Sequence, residues 1–207
     1  MTLSKLSLSL GTKPDTHSSQ TGTHSTPHGA LTISQPESLK AVARLVESTP
    51  DRTDKALVSS LKQQNILLEE RSDWRFPNDR EPYQIFYGYN VSGDTADKDN
   101  MIAAQRKLLL AMQPMPVEDM SKSLLTVMML MVKPSGETAK DASDRCTLYA
   151  LQMRDWPADI FIKVLDIISK TATFWPAFSE FNSHYEQLIR KRKKMLETLQ
   201  KCTMSIE

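Results

Sequence analysis

The sequence predicts an all-α protein, with a small bundle of about five helices in residues 98–202. Three observations support this prediction. Apolar residues recur at helical spacing, and no stretch alternates apolar and polar residues for long enough to make a sheet. The tripeptide Trp-Pro-Ala also occurs twice, at Trp156–Ala158 and Trp175–Ala177, each time at the start of an apolar helical pattern.

Chain length and composition set the first limits. The 207 residues fit one domain, or one domain with appendages. The net charge of +1 provides no overall attraction to nucleic acid or to a membrane, so any electrostatic binding must be local. Cys146 and Cys202 fit no metal-ligand or redox spacing and are expected to be reduced. The sequence shows neither a signal peptide nor an apolar run of membrane length, which favours a cytoplasmic protein without membrane contact.

Composition divides the chain into three regions. Residues 1–35 are rich in Ser, Thr, Gly, Pro and His, and we expect a disordered tail because few bulky apolar side chains are available for a core. Residues 36–97 are predicted to form short helices followed by an aromatic, loop-rich insert. Residues 98–207 are predicted to form the helical bundle, which ends in a long basic helix.

The first region after the tail has two short helical patterns in succession, and the first of them ends at Pro50. Two such helices can form a helix-turn-helix over residues 36–70. The second helix has few basic side chains for reading DNA, Lys55 and Lys62 among them. A DNA-binding regulator is therefore kept as an alternative interpretation.

The segment 71–97 is aromatic, and its rings occur among prolines and glycines: Trp74, Phe76, Tyr83, Phe86, Tyr87 and Tyr89. Aromatic residues with basic neighbours can stack on the bases of single-stranded nucleic acid. The arginines of this segment are matched by nearby carboxylates, however. The favoured interpretation is a loop, with a short strand at 84–89, that packs its aromatic rings onto the helical body.

Prolines mark most of the predicted helix boundaries in the bundle. One helix is expected to end before Pro114, and the next, starting at Pro116, is apolar on all sides at its end and should be buried. A third helix is predicted over about residues 137–153. The fourth and fifth follow the Trp-Pro pairs, where proline suits the first helical position and tryptophan anchors the corner. Four residues are therefore predicted as structural corners: Trp156, Pro157, Trp175 and Pro176.

The last helix has apolar residues at the 3-4 spacing of a coiled-coil seam, interrupted only by Arg192. Beyond Leu188 it is expected to extend past the body, because a run of five positive charges covers every side of a helix and should not be buried. This basic segment consists of Arg190, Lys191, Arg192, Lys193 and Lys194. Three interpretations stay open: a solvated face, a contact with nucleic-acid phosphates, or a dimeric coiled coil with Arg192 at its seam.

No catalytic pattern is found in the sequence. It has no Gly-rich phosphate loop, and His184 is the only histidine outside the tail. Asp155, Asp159 and Glu180 flank the two corners and are expected to cap helix N-termini. The sequence therefore predicts a protein that is not an enzyme and that needs no cofactor and no metal.

A resemblance to phage proteins rests on four stretches: Tyr149–Met153, Asp155–Asp159, Val164–Leu165 and Phe174–Phe181. They resemble a group of phage and prophage proteins found in alphaproteobacterial genomes, and the second corner is similar to one in phage replicative-helicase loaders. The resemblance implies a non-enzymatic accessory protein of phage DNA replication in the cytoplasm of a bacterial host. Its implied partners are the replicative helicase or another replication protein, together with DNA, and its implied contact residues are those of the basic segment.

A different class of function is also open. A phage structural or assembly protein would use the C-terminal helix for self-association, as a homo-oligomer. The two classes differ in what the last helix touches: DNA and a replication protein in the first, and a second copy of the chain in the other.

Overall fold

A computed structural model of the protein describes residues 33–92, 98–132 and 135–204. The predicted all-α class is wrong, because the described part of the chain is mixed α and β, with 64% of the described residues helical and 14% in strands. Residues 1–32 of the predicted tail lie outside the described residues, and Gln35 already belongs to a helix. In chain order the described elements are α1 (Gln35–Val46), α2 (Pro50–Gln63), β1 (Leu67–Arg75), β2 (Tyr83–Ser92), α3 (Lys98–Leu110), α4 (Val117–Met128), α5 (Ala139–Gln152), α6 (Ala158–Thr171) and α7 (Phe178–Met204).

The helices α1 and α2 form where the sequence predicts two short helices. The Thr49 side chain caps α2 by accepting a hydrogen bond from the backbone N–H of Arg52. Pro50 occupies the first helical position of α2. A backbone N–H at this position has no partner within the helix, so its absence in proline removes no helical hydrogen bond. Leu57 and Leu61 then point into the core, which leaves the opposite side of α2 exposed.

The segment predicted as an aromatic loop is a β-hairpin. β1 and β2 pair antiparallel from Leu67 opposite Ser92 to Arg75 opposite Tyr83. Arg71 pairs with Gly88, whereas the next residue, Ser72, pairs with Phe86. The register therefore shifts at this point, and Tyr87 is an extra residue in β2. This β-bulge divides the hairpin into a half near the helices and a distal half.

Both Trp-Pro pairs lie at the start of a helix, although neither proline is the first helical residue. Pro157 is the N-cap residue of α6, and Pro176 lies two residues before α7. The Trp156 ring stacks on Tyr185 of α7, with ring centroids 4.2 Å apart and planes 5° apart. The Trp175 ring contacts the rings of Tyr149 and Phe181. The two tryptophans therefore fix the ends of α5 and α6 against α7.

Two hydrophobic clusters form the core, and α7 contributes to both. The first lies among α1, α4, α5, α6 and the beginning of α7, and it includes Phe161 and Phe181. The second joins α2, the near half of the hairpin, α3 and the end of α7, where Met195 and Leu199 are buried. The expectation that α7 extends past the body beyond Leu188 is wrong, because its distal apolar side chains pack against α3 and β2.

Two further properties concern the cysteines and the apolar character of the helices. Cys146 and Cys202 are free thiols, and burial raises the pKa of the Cys146 thiol to about 11. A thiol with so high a pKa holds little thiolate at neutral pH and is a poor nucleophile. Among the helices in the described ranges, none combines the length and the apolar character needed to cross a bilayer.

Candidate functional site

The basic segment of α7 passes between α2 and the hairpin, and its five side chains have different environments. Arg192 is fully buried, whereas Arg190, Lys191, Lys193 and Lys194 keep substantial exposure. The expectation that the whole segment faces solvent is therefore wrong for Arg192. The segment separates into one buried arginine and four surface cations.

Arg192 is the centre of a buried ionic cluster, which we call the Arg192 hub. Its Nη1 and Nη2 atoms donate to the two carboxylate oxygens of Asp159 at 2.9 and 2.6 Å. Its Nε donates to Oδ1 of Asp54 at 2.6 Å, and Nη1 also donates to the carbonyl oxygen of Ala111 at 2.7 Å. These acceptors replace the water that the guanidinium loses on burial. The hub thereby ties α7 to α6, to α2 and to the residue that follows α3.

Burial and charge act in opposite directions in the hub. Burial lowers the pKa of Arg192, but the hydrogen bonds and charges of Asp159 and Asp54 outweigh it and hold that pKa above its usual value. Burial raises the pKa of the Asp54 carboxyl, and the charge of Arg192 offsets only part of that effect. The guanidinium is therefore permanently charged, and the hub has a structural role rather than a proton-transfer role.

The four surface cations each have a partner within the chain. Arg190 donates to the carbonyl oxygen of Phe86 at 2.7 Å, at the bulge of the hairpin. The three lysines form exposed ion pairs with glutamates, at distances of 2.9, 3.0 and 2.7 Å: Lys191 with Glu70, Lys193 with Glu186, and Lys194 with Glu197. Exposed pairs of this kind contribute about 0–1 kcal/mol each. An incoming anion can therefore replace these carboxylates at little cost.

The hairpin contacts this part of α7 on both sides of its bulge. Arg190 and Lys191 lie 5.9 and 5.8 Å from the centroid of the Phe86 ring. Gly88, with φ of +148°, follows the bulge, and a Cβ atom there would lie 3.6 Å from the Lys194 side chain. Tyr89 is buried in the same place, and burial together with the charge of Glu70 raises its pKa. The basic segment therefore holds the base of the hairpin.

The distal half of the hairpin, residues 72–87, extends past these contacts except at Phe86, and we call it the hairpin arm. Four of its aromatic side chains are exposed, to 57%, 73%, 39% and 44% of their surface: Trp74, Phe76, Tyr83 and Tyr87. The interpretation that the aromatic segment packs onto the body is wrong for these four rings. It holds for Phe86 and Tyr89, which join the second core cluster.

Arginines accompany the exposed tyrosines of the arm. Nη2 of Arg75 lies 3.3 Å from the hydroxyl oxygen of Tyr87 and donates a hydrogen bond to it. The guanidinium carbon of Arg80 lies 4.8 Å from the centroid of the Tyr83 ring, in cation–π geometry. The candidate site consists of this arm, with its exposed rings, and of the surface cations of α7 that contact the hairpin at Phe86 and Glu70.

Other features of the site region are less specific. A cleft of about 560 Å³ lies between α2, the hairpin and α7, and its lining includes Lys55, Glu70 and Lys191. It presents both signs of charge, so it selects no single ligand chemistry. Within the part of the chain that the structure describes, no group of three or more His, Cys, Asp or Glu side chains is placed to hold a metal ion.

The remaining residues from the sequence prediction lie elsewhere. Glu180 accepts a hydrogen bond from the backbone N–H of Ala177, as expected of a capping residue, and Asp155 forms an exposed ion pair with Arg154. Asp159 accepts from the N–H of Ile160, but its main role as a partner of Arg192 was missed. A coiled coil with Arg192 at its seam does not suit this geometry, because that seam is already buried within the chain.

Comparison with known proteins adds no relative, since the chain matches no protein-family model, no curated protein and no solved structure.

Proposed function

We propose that the protein is a non-enzymatic accessory factor of phage or prophage DNA replication, which binds DNA and a replication protein such as the replicative helicase. The observation that supports the DNA-binding part is the arrangement of Arg190, Lys191, Lys193 and Lys194 on the exposed surface of α7, beside the hairpin arm. The resemblance of Asp155–Asp159 and Phe174–Phe181 to phage proteins supports the replication context.

The mechanism we propose is the exchange of ion-pair partners. In the free protein, Glu70, Glu186 and Glu197 occupy the three lysines. When DNA binds, phosphates take over these cations and counterions leave the DNA, which provides the free energy of binding. Arg192 takes no part in this exchange, because it is buried and its donors are engaged by Asp159, Asp54 and Ala111.

A salt titration tests this mechanism. We expect the quadruple variant Arg190→Gln, Lys191→Gln, Lys193→Gln, Lys194→Gln to bind oligonucleotides more weakly and with a flatter dependence of log K on log salt. The slope should fall by roughly 2 to 3 units, since each phosphate contact contributes about 0.7 on single-stranded DNA. Fluorescence anisotropy between low and physiological salt measures both quantities, and Arg192 is kept so that the fold is retained.

The matched control removes the same number of positive charges from other exposed sites: Lys122, Lys140, Arg154 and Lys170. This control should keep the wild-type slope. If wild-type protein binds no DNA, or if the two quadruple variants behave alike, the proposed DNA contact is wrong.

Light scattering tests the partner. We expect the molar mass of the protein with the replicative helicase of its host or phage to exceed that of either alone, while the protein alone stays small across a concentration series. The alternative function, a structural or assembly protein, instead requires large homo-assemblies that grow with concentration. Such growth without helicase binding would overturn the proposed replication role.

A helix-turn-helix regulator stays a second candidate, and the basic exposed side of α2 favours it. The two helices are joined by a short turn, since three residues separate α1 from α2. The exposed side of α2 presents Arg52, Lys55 and Lys62, as a helix that enters a major groove would. This candidate requires affinity that differs among duplex sequences, so titrations with several unrelated duplexes distinguish it from the proposed accessory factor.

A further inference from the structure

We propose that the hairpin arm is a stacking platform for the unpaired bases of single-stranded DNA. This inference rests on the proposed DNA-binding function and deepens it by naming the form of DNA. It depends on three features of the arm: the exposure of its rings, their placement on both of its faces, and the balance of its charges.

Beyond the bulge every aromatic ring of the hairpin except Phe86 is exposed. On the body side of the bulge, Tyr89 is 7% exposed and packs with Leu68 and Val91 in the second core cluster. On the far side, Trp74 and Phe76 are mostly exposed, and their ring centroids lie 6.4 Å apart. Large aromatic side chains that cluster on a surface mark a place where another molecule binds.

Strand geometry places these rings on both faces of the arm. Trp74 pairs with Gln84 and Arg75 pairs with Tyr83, and successive residues of a strand point to opposite faces. Trp74 therefore lies on one face, whereas Tyr83 and Arg75 lie on the other. Tyr87 belongs with Arg75, which donates to its hydroxyl group. A flexible single strand can follow both faces, whereas the bases of a duplex are already stacked on each other and not free to meet a ring.

The charges of the arm favour bases over phosphates. Arg75 and Arg80 lie against tyrosine rings, so each can contact the phosphate of a nucleotide whose base stacks on that ring. The carboxylates Asp73, Asp79 and Glu81 outnumber them, so the arm has a net charge of −1 and does not attract a duplex backbone. Stacking must therefore supply most of the affinity here.

The surface cations of α7 explain why the occupant is a nucleic acid. They border the base of the arm, where Arg190 contacts Phe86 and Lys191 contacts Glu70. A strand whose bases stack on the arm continues directly onto these cations through its phosphates. Rings followed by a row of positive charges are the two components of a single-strand binding surface.

The test separates stacking from charge. We expect Trp74→Ala and Tyr83→Ala each to weaken the binding of a 20-nucleotide oligo-dT roughly 5- to 100-fold, because the stacking of one base on one ring contributes a factor of that size to the affinity. The salt slope should stay at its wild-type value, and affinity for a 20-base-pair duplex should not change. Trp74→Phe should restore most of the oligo-dT affinity, because it keeps an aromatic face.

The control is Leu148→Ala, which shortens an exposed apolar side chain on α5 and should leave binding unchanged. Thermal unfolding of each variant shows whether the hairpin is retained, and little change is expected because the rings are exposed. Wild-type affinity for oligo-dT in Trp74→Ala would overturn the inference, as would equal loss for oligo-dT and duplex. In either case the salt titration of the quadruple Gln variant still tests the proposed DNA-binding function separately. If the wild-type protein binds no DNA at all, both the stacking platform and the proposed DNA-binding function are wrong.

Discussion

Replacing Asp159 by alanine should lower the free energy of unfolding by about 3–5 kcal/mol, the usual cost of removing one partner of a buried ion pair. The variant leaves the fully buried Arg192 with Asp54 and the backbone carbonyls of Ala111 and Pro50 as acceptors. Total stability of a domain is about 5–15 kcal/mol, so this loss is a large fraction of it. Chemical denaturation followed by circular dichroism measures the difference.

Two further variants make this prediction specific to the hub. Asp166, on the same helix, forms exposed ion pairs with Lys163 and Lys170, so Asp166→Ala should cost about 1 kcal/mol or less. Replacing Arg192, Asp159 and Asp54 together by leucine should restore much of the lost stability, because no unpaired charge is then buried. Equal effects of Asp159→Ala and Asp166→Ala would show that Arg192 does not depend on its buried partner.

The second large effect is expected at the Trp175 corner. Phe181 is fully buried in the first core cluster and contacts the rings of Tyr149 and Trp175, with centroids 5.8 and 5.4 Å away. Phe181→Ala removes these contacts and leaves a cavity, so we expect a loss of about 3–5 kcal/mol. In a chain of this size that loss lowers the melting temperature by roughly 6–20 °C, which calorimetry detects.

Phe174 provides a matched control in the same corner. Its side chain is 65% exposed, so Phe174→Ala removes the same atoms without leaving an internal cavity. Its effect should stay within about 0.5 kcal/mol, as for most surface substitutions. A comparable loss at both positions would contradict the packing described for the corner.

The helices of the chain could be predicted from sequence because each has a strong local signal. Apolar spacing and proline placement predicted α6 and α7 after their Trp-Pro pairs, as the structure has them. The hairpin could not be predicted in the same way. Five of the nine residues of β1 are charged, and the extra residue at the bulge interrupts the alternation of β2. These strands form because they pair with each other and because the base of the hairpin packs on α2 and α7, and a local pattern contains neither contact.

The candidate site was predictable only in part. The four surface cations and the aromatic rings are evident as residue types, but the sequence does not show which rings stay exposed. Arg192 did give a signal, since it interrupts the apolar series of α7 and a buried arginine requires an acidic partner. Its partners, Asp54 and Asp159, lie 138 and 33 residues away along the chain. No spacing rule connects residues so distant.

The participation of α7 in both core clusters has a consequence for biosynthesis. Translation produces α7 after every other described element, so the nascent chain has neither cluster complete until those last residues leave the ribosome. Helices α1 to α6 then expose apolar surface that would attract chaperones or other chains. A ribosome that stalls before it translates Phe178 should therefore release an aggregating product, so the yield of native protein depends on translation of α7.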